Sequence, residues 1–506
     1  MKFFLAGCAF WGAGAAALFA VRPGSRLNGP TIQTAGRPQR AAILVLVLLL
    51  ILLCVLPMGL SPIWNGQEPD HRNQYEVMAE SILDGHLYLD YGAVDPKLLA
   101  MEDPYDAALR KELGVWYPWD HAFYKGHYYM YFGVVPVFLV FLPYRVLTGL
   151  PLTTYHATQL FTAAFIVGVF ALFYLLAKKF FPALPCTSWA ALAAAVCLMS
   201  VWYAVAAPAL YCTAITAALC VEVWSLYCFA RAVWGSASVR QAVGFGMLGS
   251  FLGALAFGCR PTIALANLLA VPLLLVYVKG KKPDRSLLGQ IALVALPYFV
   301  VAALLMLYNY ARFENPFEFG QRYQLTVADQ TALGFSLTRQ ELARLARGLW
   351  ENLFDPPEFS SDFPYLAVSS VLANFPLCAA GILLLFKKST LAALRKNGLA
   401  GFAGVLLGLP FLIVAFQVVM SPFQQERYHM DVYWLLGLLA FLSLGMLCQT
   451  AQKGKRLLGF LLPAAACLTA LRAFLYWLTP YDLNFTEYYP EYFQRIAKVL
   501  SFGLLY

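Results

Sequence analysis

Two stretches of this 506-residue chain carry side chains that could do chemistry. The first is the polar segment 62–128, with twelve acids against five Lys and Arg. It holds Glu68, Asp70, His71 and Arg72 near its start. It ends on Trp116-Tyr117-Pro118-Trp119-Asp120-His121 and Tyr124-Lys125-Gly126-His127-Tyr128-Tyr129. A carboxylate there can accept a proton as general base. The aromatic rings can stack on sugar faces, or equally form the belt where Trp and Tyr gather at a membrane interface. The second stretch is Ser421 to Asp431, which holds Glu426, Arg427, Tyr428, His429 and Asp431. The Arg427 guanidinium can bind an oxyanion bidentately. The competing expectation is an ion pair with Glu426 or Asp431. Arg260 could also face an anion, although snorkelling to the interface is the simpler expectation. His121, His127 and His429 lack paired ligand spacing, and no CxxC occurs, so no metal site is expected.

The elements that position these groups follow from composition. Hydrophobic residues make up 61% of the chain and charged residues 12%, with a mean hydropathy of +0.65. A soluble domain averages about 25% charged residues. The apolar residues come in runs of about 20, the length of a membrane-spanning helix. The pattern predicts an all-α polytopic membrane protein with about twelve spans (eleven to thirteen). They lie near 3–21, 41–61, 154–177, 187–207, 211–231, 242–259, 262–278, 288–308, 366–386, 399–419, 432–449 and 457–477. The first span is expected to be retained, because it runs into Arg22, Arg26, Arg37 and Arg40 and not into a small-residue cleavage site. The eleven cysteines lie in or beside apolar runs and read as small buried residues.

Charge sets the orientation. Alternate loops collect 19 of the 36 Lys and Arg and one acid, Asp284. By the positive-inside rule these loops are cytoplasmic. The acids fall on the other side, in the large loops 62–128 and 309–365, the link 420–431 and the tail 478–506. A net charge of +9 distributed this way implies a membrane and not nucleic acid. The segment 129–149 would reverse every later loop if it crossed. With Pro136 and Pro143 inside, it is expected to lie on, or dip into, the outer leaflet.

Within 62–128 a helix is expected over 72–84. Tyr75, Met78, Ile82 and Leu83 share one face, with Glu76, Glu80 and Asp84 opposite and Gly85 as the stop. A second is expected over 104–113, capped by Asp103-Pro104 and ended by Gly114. Residues 338–351 read as an amphipathic helix. Glu222 is the ionisable group placed well inside a span.

The layout resembles the GT-C glycosyltransferases, which include protein O-mannosyltransferases, lipid A aminoarabinose transferases and oligosaccharyltransferases. They share a long outer loop after an early span, with amphipathic surface helices. Tyr75 to Gly85 looks like the helix that follows their Asp-Glu-x-x-Tyr motif, and Arg427-Tyr428 is similar to their late Arg-Tyr. One departure matters: the Asp-Glu positions fall here on His71-Arg72. The resemblance therefore implies a base at Asp70, or at Asp120, with Glu68 and His71 as further candidates. It implies an extracytoplasmic active site in a plasma membrane, of bacterial type. There an inverting displacement would move a sugar from a polyprenyl-phosphate carrier to a protein, lipid or glycan acceptor. Arg72, Lys125, His127 and Arg427 would face the donor phosphate. Tyr75, Trp119, Tyr124, Tyr128, Arg312 and Tyr428 would hold the sugar or acceptor. The resemblance implies no definite cofactor beyond the polyprenyl-phosphate-sugar donor, and a divalent metal stays open. The rival expectation is a transporter or flippase, against which stands the concentration of polar residues outside the spans.

Overall fold

The computed structural model describes residues 1–22, 24–60, 73–131, 133–208, 210–331, 336–421, 424–450, 455–479 and 488–504. Among them, eleven helices are long and apolar enough to cross a membrane, or twelve if one bent pair counts as a span. In chain order, α1 is Lys2–Ala20 and α2 is Arg37–Met58. The first large loop holds α3 (Gln74–Leu83), α4 (Pro96–Ala100) and α5 (Ala107–Leu113), then β1 (His121–Tyr124) and β2 (His127–Tyr129). A π-helical turn, Val137–Phe141, runs into α6 (Leu142–Thr148). Then come α7 (Thr154–Phe180), α8 (Cys186–Ala206), α9 (Leu210–Trp234), α10 (Val239–Phe257), α11 (Pro261–Ala264), α12 (Ala270–Val278) and α13 (Arg285–Phe313). The second large loop carries β3 (Gln324–Leu325), α14 (Arg339–Leu353) and α15 (Val371–Asn374). The chain continues through α16 (Pro376–Leu385), α17 (Lys388–Lys396), α18 (Ala400–Met420), α19 (Met430–Thr450), α20 (Lys455–Trp477) and α21 (Pro490–Leu500).

The helices pack pairwise: α7 on α9, α9 on α10, α10 on α13, α8 on α20 and α16 on α19. The most enclosed is α19, buried almost throughout. Its contact with α16 is close enough that a Cβ on Gly381 would lie 2.6 Å from the Ala440 backbone, so only glycine fits.

Two spans depart from the expected ones. The span expected at 366–386 starts only at Pro376, because Phe375-Pro376 breaks the helix from α15. After Leu385 the chain bends by 74° into α17, a basic amphipathic helix. The span expected at 262–278 begins as α11 and passes through a 3₁₀ stretch, Leu265–Leu269, before α12. There the Asn267 amide donates to the Gly253 and Ala264 carbonyls at 2.8 and 2.9 Å. Glu222 is also not alone within a span. Arg472 lies in α20, near its outer end, and donates to the Tyr476 hydroxyl at 3.0 Å. The helical run Val137–Thr148 is twelve residues. At 1.5 Å per residue it reaches roughly 18 Å, short of a hydrocarbon core of about 30 Å.

The outer loop is more ordered than an amphipathic surface helix requires. In α3 the Asn73 side chain caps the Glu76 N–H at 3.0 Å, and Gly85 follows at φ +86°. Both faces of α3 are covered, however. Glu76, expected on the polar face, is fully buried, and the Arg145 guanidinium donates to both Glu76 and Glu80. Glu76 also accepts from the Leu152 N–H at 2.9 Å. Burial, opposed by Arg145 and Leu152, raises the Glu76 carboxyl above its ordinary value. In α5 the cap is Asp106, not Asp103. Asp103 accepts from Tyr105 N–H at 2.9 Å and spends itself on a local turn, so the helix starts three residues late. Gly114 ends it at φ +60°.

The all-α body also carries a small antiparallel sheet that periodicity did not announce, in the order β2-β1-β3. Lys125 and Gly126 both have positive φ, 48° and 81°, making the two-residue turn that matches strand twist. The sheet joins the two large loops, because β1 comes from the first and β3 from the second.

Arg145→Ala leaves Glu76 buried without its cation. Breaking a buried pair from one side costs about 3–5 kcal/mol. Thermal unfolding in detergent should show a markedly lower Tm for Arg145→Ala. The double variant Arg145→Met with Glu76→Gln should recover part of the loss. Equal Tm for Arg145→Ala and the natural chain would refute the clamp.

Candidate active site

Asp120 stands where α3, the sheet and the outer end of α9 meet. It has φ +56°, a left-handed conformation that is uncommon for a residue with a side chain. Its neighbours hold it there. Its N–H donates to the Leu325 carbonyl at 3.1 Å, and its carbonyl accepts from the Gln74 amide at 2.9 Å. The carboxylate accepts from the Tyr211 hydroxyl, and from the Gln324 amide at 2.9 Å. The residue is 8% exposed. Burial raises its pKa above the usual carboxylate range, against the opposing pull of the Tyr211 hydroxyl, Arg427, Gln324 and Thr326.

The adjacent His121 is buried too, which draws its imidazole down to about 4. It is neutral near pH 7. Nδ1 lies 2.7 Å from the Trp119 carbonyl and Nε2 2.9 Å from the Tyr91 hydroxyl, so the ring proton is placed on Nδ1. Both nitrogens are occupied, and His121 acts as a brace for the Asp120 backbone. Among the described residues, no three His, Cys, Asp or Glu gather as a metal-binding set.

Across Tyr211 lies Arg427, in the 3₁₀ turn Glu426–His429 that opens α19. Its guanidinium carbon is 4.1 Å from the centre of the Tyr211 ring, and Nη1 donates to Gln425 Oε1 at 3.1 Å. One tyrosine thus holds the carboxylate through its hydroxyl and the cation on its face. Arg427 does not pair with Asp431, which is already taken. Arg260 Nε reaches both Asp431 oxygens at 2.9 and 2.8 Å, Thr262 donates at 2.7 Å and Gln417 at 2.7 Å. Arg260 therefore does not snorkel. Asp431 is fully buried and fixes it. Tyr428 lies between the two cations, 5.1 Å from Arg260 and 5.4 Å from Arg427.

Beside this cluster opens a cavity of 710 Å³, with Tyr131, Arg260, Arg322, Gln417 and Tyr428 among its polar lining and Phe416 and Met420 among its apolar lining. A compartment of 120 Å³ shares Tyr131 and Arg260 with it and reaches Arg312. Asp120 and Arg427 stand next to the large cavity and not in its wall. Tyr131 connects the two, since it lines the cavity and interacts electrostatically with Asp120, Arg260, Arg427 and Tyr428.

Of the residues singled out in the sequence, Asp120, Arg427 and Tyr428 come together here. Glu68, Asp70, His71 and Arg72 lie outside the described residues. Lys125 does not join the cluster: at the hairpin tip it is exposed and pairs with Glu314 at 2.6 Å. His127 is exposed and stacks on Tyr88 at 4.4 Å. Tyr124 packs on Tyr323 at 4.7 Å, and Tyr128 is buried against Phe123 at 5.3 Å. Tyr75 is buried and stacks on Phe141 at 5.1 Å. Trp119 is 49% exposed beside Tyr117. Arg312 is buried and braces the outer loop by donating to the Met130 carbonyl at 2.7 Å and to Asn309 at 2.8 Å. Tyr211, Gln324, Gln74 and Tyr131 were not foreseen. A tyrosine at the first turn of a span looks like any belt aromatic, and only Asp120 across from it reveals its role.

No family model matches the sequence, and no curated protein matches it. The structure is similar to that of ArnT from Cupriavidus metallidurans bound to undecaprenyl phosphate, at 17% identity and a TM-score of 0.46, covering 92% of this chain and 70% of that one. It is also similar to the archaeal oligosaccharyltransferase AglB from Archaeoglobus fulgidus in complex with an inhibitory peptide and a dolichol-phosphate. There the identity is 13% and the TM-score 0.43, covering 93% of this chain and 60% of that one.

Arg260→Ala strands the buried Asp431 charge, with an expected loss of about 3–5 kcal/mol. Asp431→Asn should cost less, because its amide oxygen still accepts from Thr262 and Gln417. Thermal unfolding of both variants checks the order; the reverse order would contradict the pairing.

Proposed function

We propose that this protein is a GT-C-type membrane glycosyltransferase. It moves a sugar from a polyprenyl-phosphate carrier to an acceptor hydroxyl or amine on the outer side of a cytoplasmic membrane. The observation that carries the reading is the junction at Tyr211. There a buried carboxylate of raised pKa and a guanidinium meet at one end of the spans, beside a cavity lined by both polar and apolar side chains.

Transfer from such a donor needs little else. The acceptor oxygen or nitrogen attacks the anomeric carbon while the bond from that carbon to the phosphate oxygen breaks. Single displacement inverts the centre, through an oxocarbenium-like transition state. Asp120 takes the acceptor's proton, and a raised pKa suits a base working near neutrality. Negative charge grows on the departing phosphate, and fixed guanidinium groups are what such charge calls for. Arg427 and the cavity-lining Arg260 and Arg322 supply them. The donor's apolar tail stays in hydrocarbon past Phe416 and Met420, and the free polyprenyl phosphate leaves the same way.

Asp120→Asn should abolish release of polyprenyl phosphate from a polyprenyl-phosphate sugar, while Tm in detergent stays within a few degrees of normal. Near-normal release by a folded Asp120→Asn protein would sink the assignment of the base.

The pH profile gives a second check. The base must be ionised, so activity falls as pH drops through the Asp120 pKa, at a higher pH than an ordinary carboxylate would give. Arg427 lowers that pKa. Arg427→Gln should therefore move the acid limb of kcat/KM further up in pH, as well as reducing activity. An acid limb that stays in place would break the proposed coupling.

A further inference from the structure

A second cavity, of 460 Å³, runs along the bundle from Phe257, which also lines the larger cavity, to Tyr277 and Gln290 at the far end, and the proposed transfer does not use it. It is bounded by α9, α10, α12 and α13, with Phe229, Val243, Leu265, Val294 and Phe299 in its walls. Helix α13 packs along α10, and α12 packs on α9 and α18, leaving an apolar crevice between α12 and α13. Along α10 the lining runs from Ala242 to Phe257. At 1.5 Å per residue this is roughly 22 Å, more than the depth of one leaflet's hydrocarbon, which is about half of 30 Å.

Polar groups gather at one end. The Tyr277 hydroxyl donates to Gln290 Oε1 at 2.7 Å, linking α12 to α13 across the crevice. Directly on Tyr277 lies a cation, with Lys281 Nζ 3.2 Å from the ring centre. Lys279, Lys282 and Arg285 share that loop, and Arg231 and Arg240 flank the neighbouring connection between α9 and α10. The only acid there, Asp284, is engaged as the cap of α13, accepting from Leu287 N–H at 2.8 Å. The crevice is thus apolar along its length and rimmed by uncompensated positive charge at its end.

We propose that this crevice is a binding site for an acidic glycerophospholipid of the cytoplasmic leaflet, with an acyl chain between α10, α12 and α13 and the phosphate at the Lys281 rim. Charge complementarity selects the headgroup. A zwitterionic lipid carries its own ammonium to a rim that is already basic, whereas an acidic one neutralises it. Each basic residue beside the cytoplasmic surface adds to the attraction for anionic lipid. The proposal rests on the crevice and on the sidedness of the loops, and it stands or falls separately from the transfer reaction.

The test is native mass spectrometry of the full chain, delipidated and titrated with phosphatidylglycerol, phosphatidylcholine or polyprenyl phosphate. Phosphatidylglycerol should remain bound at one retained copy and raise Tm, and phosphatidylcholine should not. Lys281→Gln with Lys282→Gln, both on an exposed loop, should weaken phosphatidylglycerol retention on the order of tenfold or more. Ala295→Trp, which fills the crevice, should remove it. Equal retention of phosphatidylcholine overturns the proposal, as does retention unchanged in both variants. Displacement of phosphatidylglycerol by polyprenyl phosphate overturns it too, by assigning the crevice to the donor's tail.

Discussion

Arg260 and Asp431 are separated by 171 residues in the chain and by 2.8 Å in space. Their pairing joins the outer end of α10 to the start of α19, and Gln417 brings in α18. Asp431 is fully buried, so the carboxylate is tolerable only with this complete set of donors. Because Asp431 opens α19, the pair also fixes the 3₁₀ turn just before it. That turn presents Tyr428 between two guanidinium groups and sets Arg427 on the face of Tyr211. The Gln417 amide adds to the support of the turn by donating to the Tyr428 carbonyl at 3.3 Å, and His429 meets Asn352 at 3.3 Å.

The second set of constraints acts on the acid. Asp120 reaches its position on a strained backbone, and such strain persists only where the surroundings over-determine it. Here they do: Gln74 from α3, Leu325 from β3 and the sheet hydrogen bonds of His121 each bind a different backbone group. The Glu76–Arg145 clamp keeps α3 itself in register two residues further on. Rigid support of this kind keeps a carboxylate within reach of a proton to be taken, which loops without it do poorly. The small sheet matters for the same reason, since it locks the two outer loops to each other over the bundle.

The molecule therefore divides its charges by role. Around the candidate site Asp120, Asp431 and Arg260 are enclosed and held by matched hydrogen bonds. At the other end they are exposed, unmatched and grouped around an apolar crevice. The first arrangement suits directional chemistry on a phosphate and a proton. The second suits attraction to an anionic surface, where position is loose and number counts.

By itself the sequence determined the membrane body, because runs of some 20 apolar residues and segregated Lys and Arg leave no soluble alternative. It also determined α3, α14 and the Gly114 stop, whose caps are local. It offered Asp70 and Asp120 as candidate bases, and Arg427-Tyr428 as a candidate partner, through residue type and position between spans. Only the tertiary structure decided the rest, for a common reason: these features depend on groups far apart in the chain. Arg260 looked free to snorkel until α19 brought Asp431 to it. Glu76 looked solvated until Arg145 covered it. Lys125 looked available until the hairpin turned it towards Glu314. Tyr211 looked like one belt aromatic among many, and its role appeared only when α9, the outer sheet and the α19 turn met around its ring.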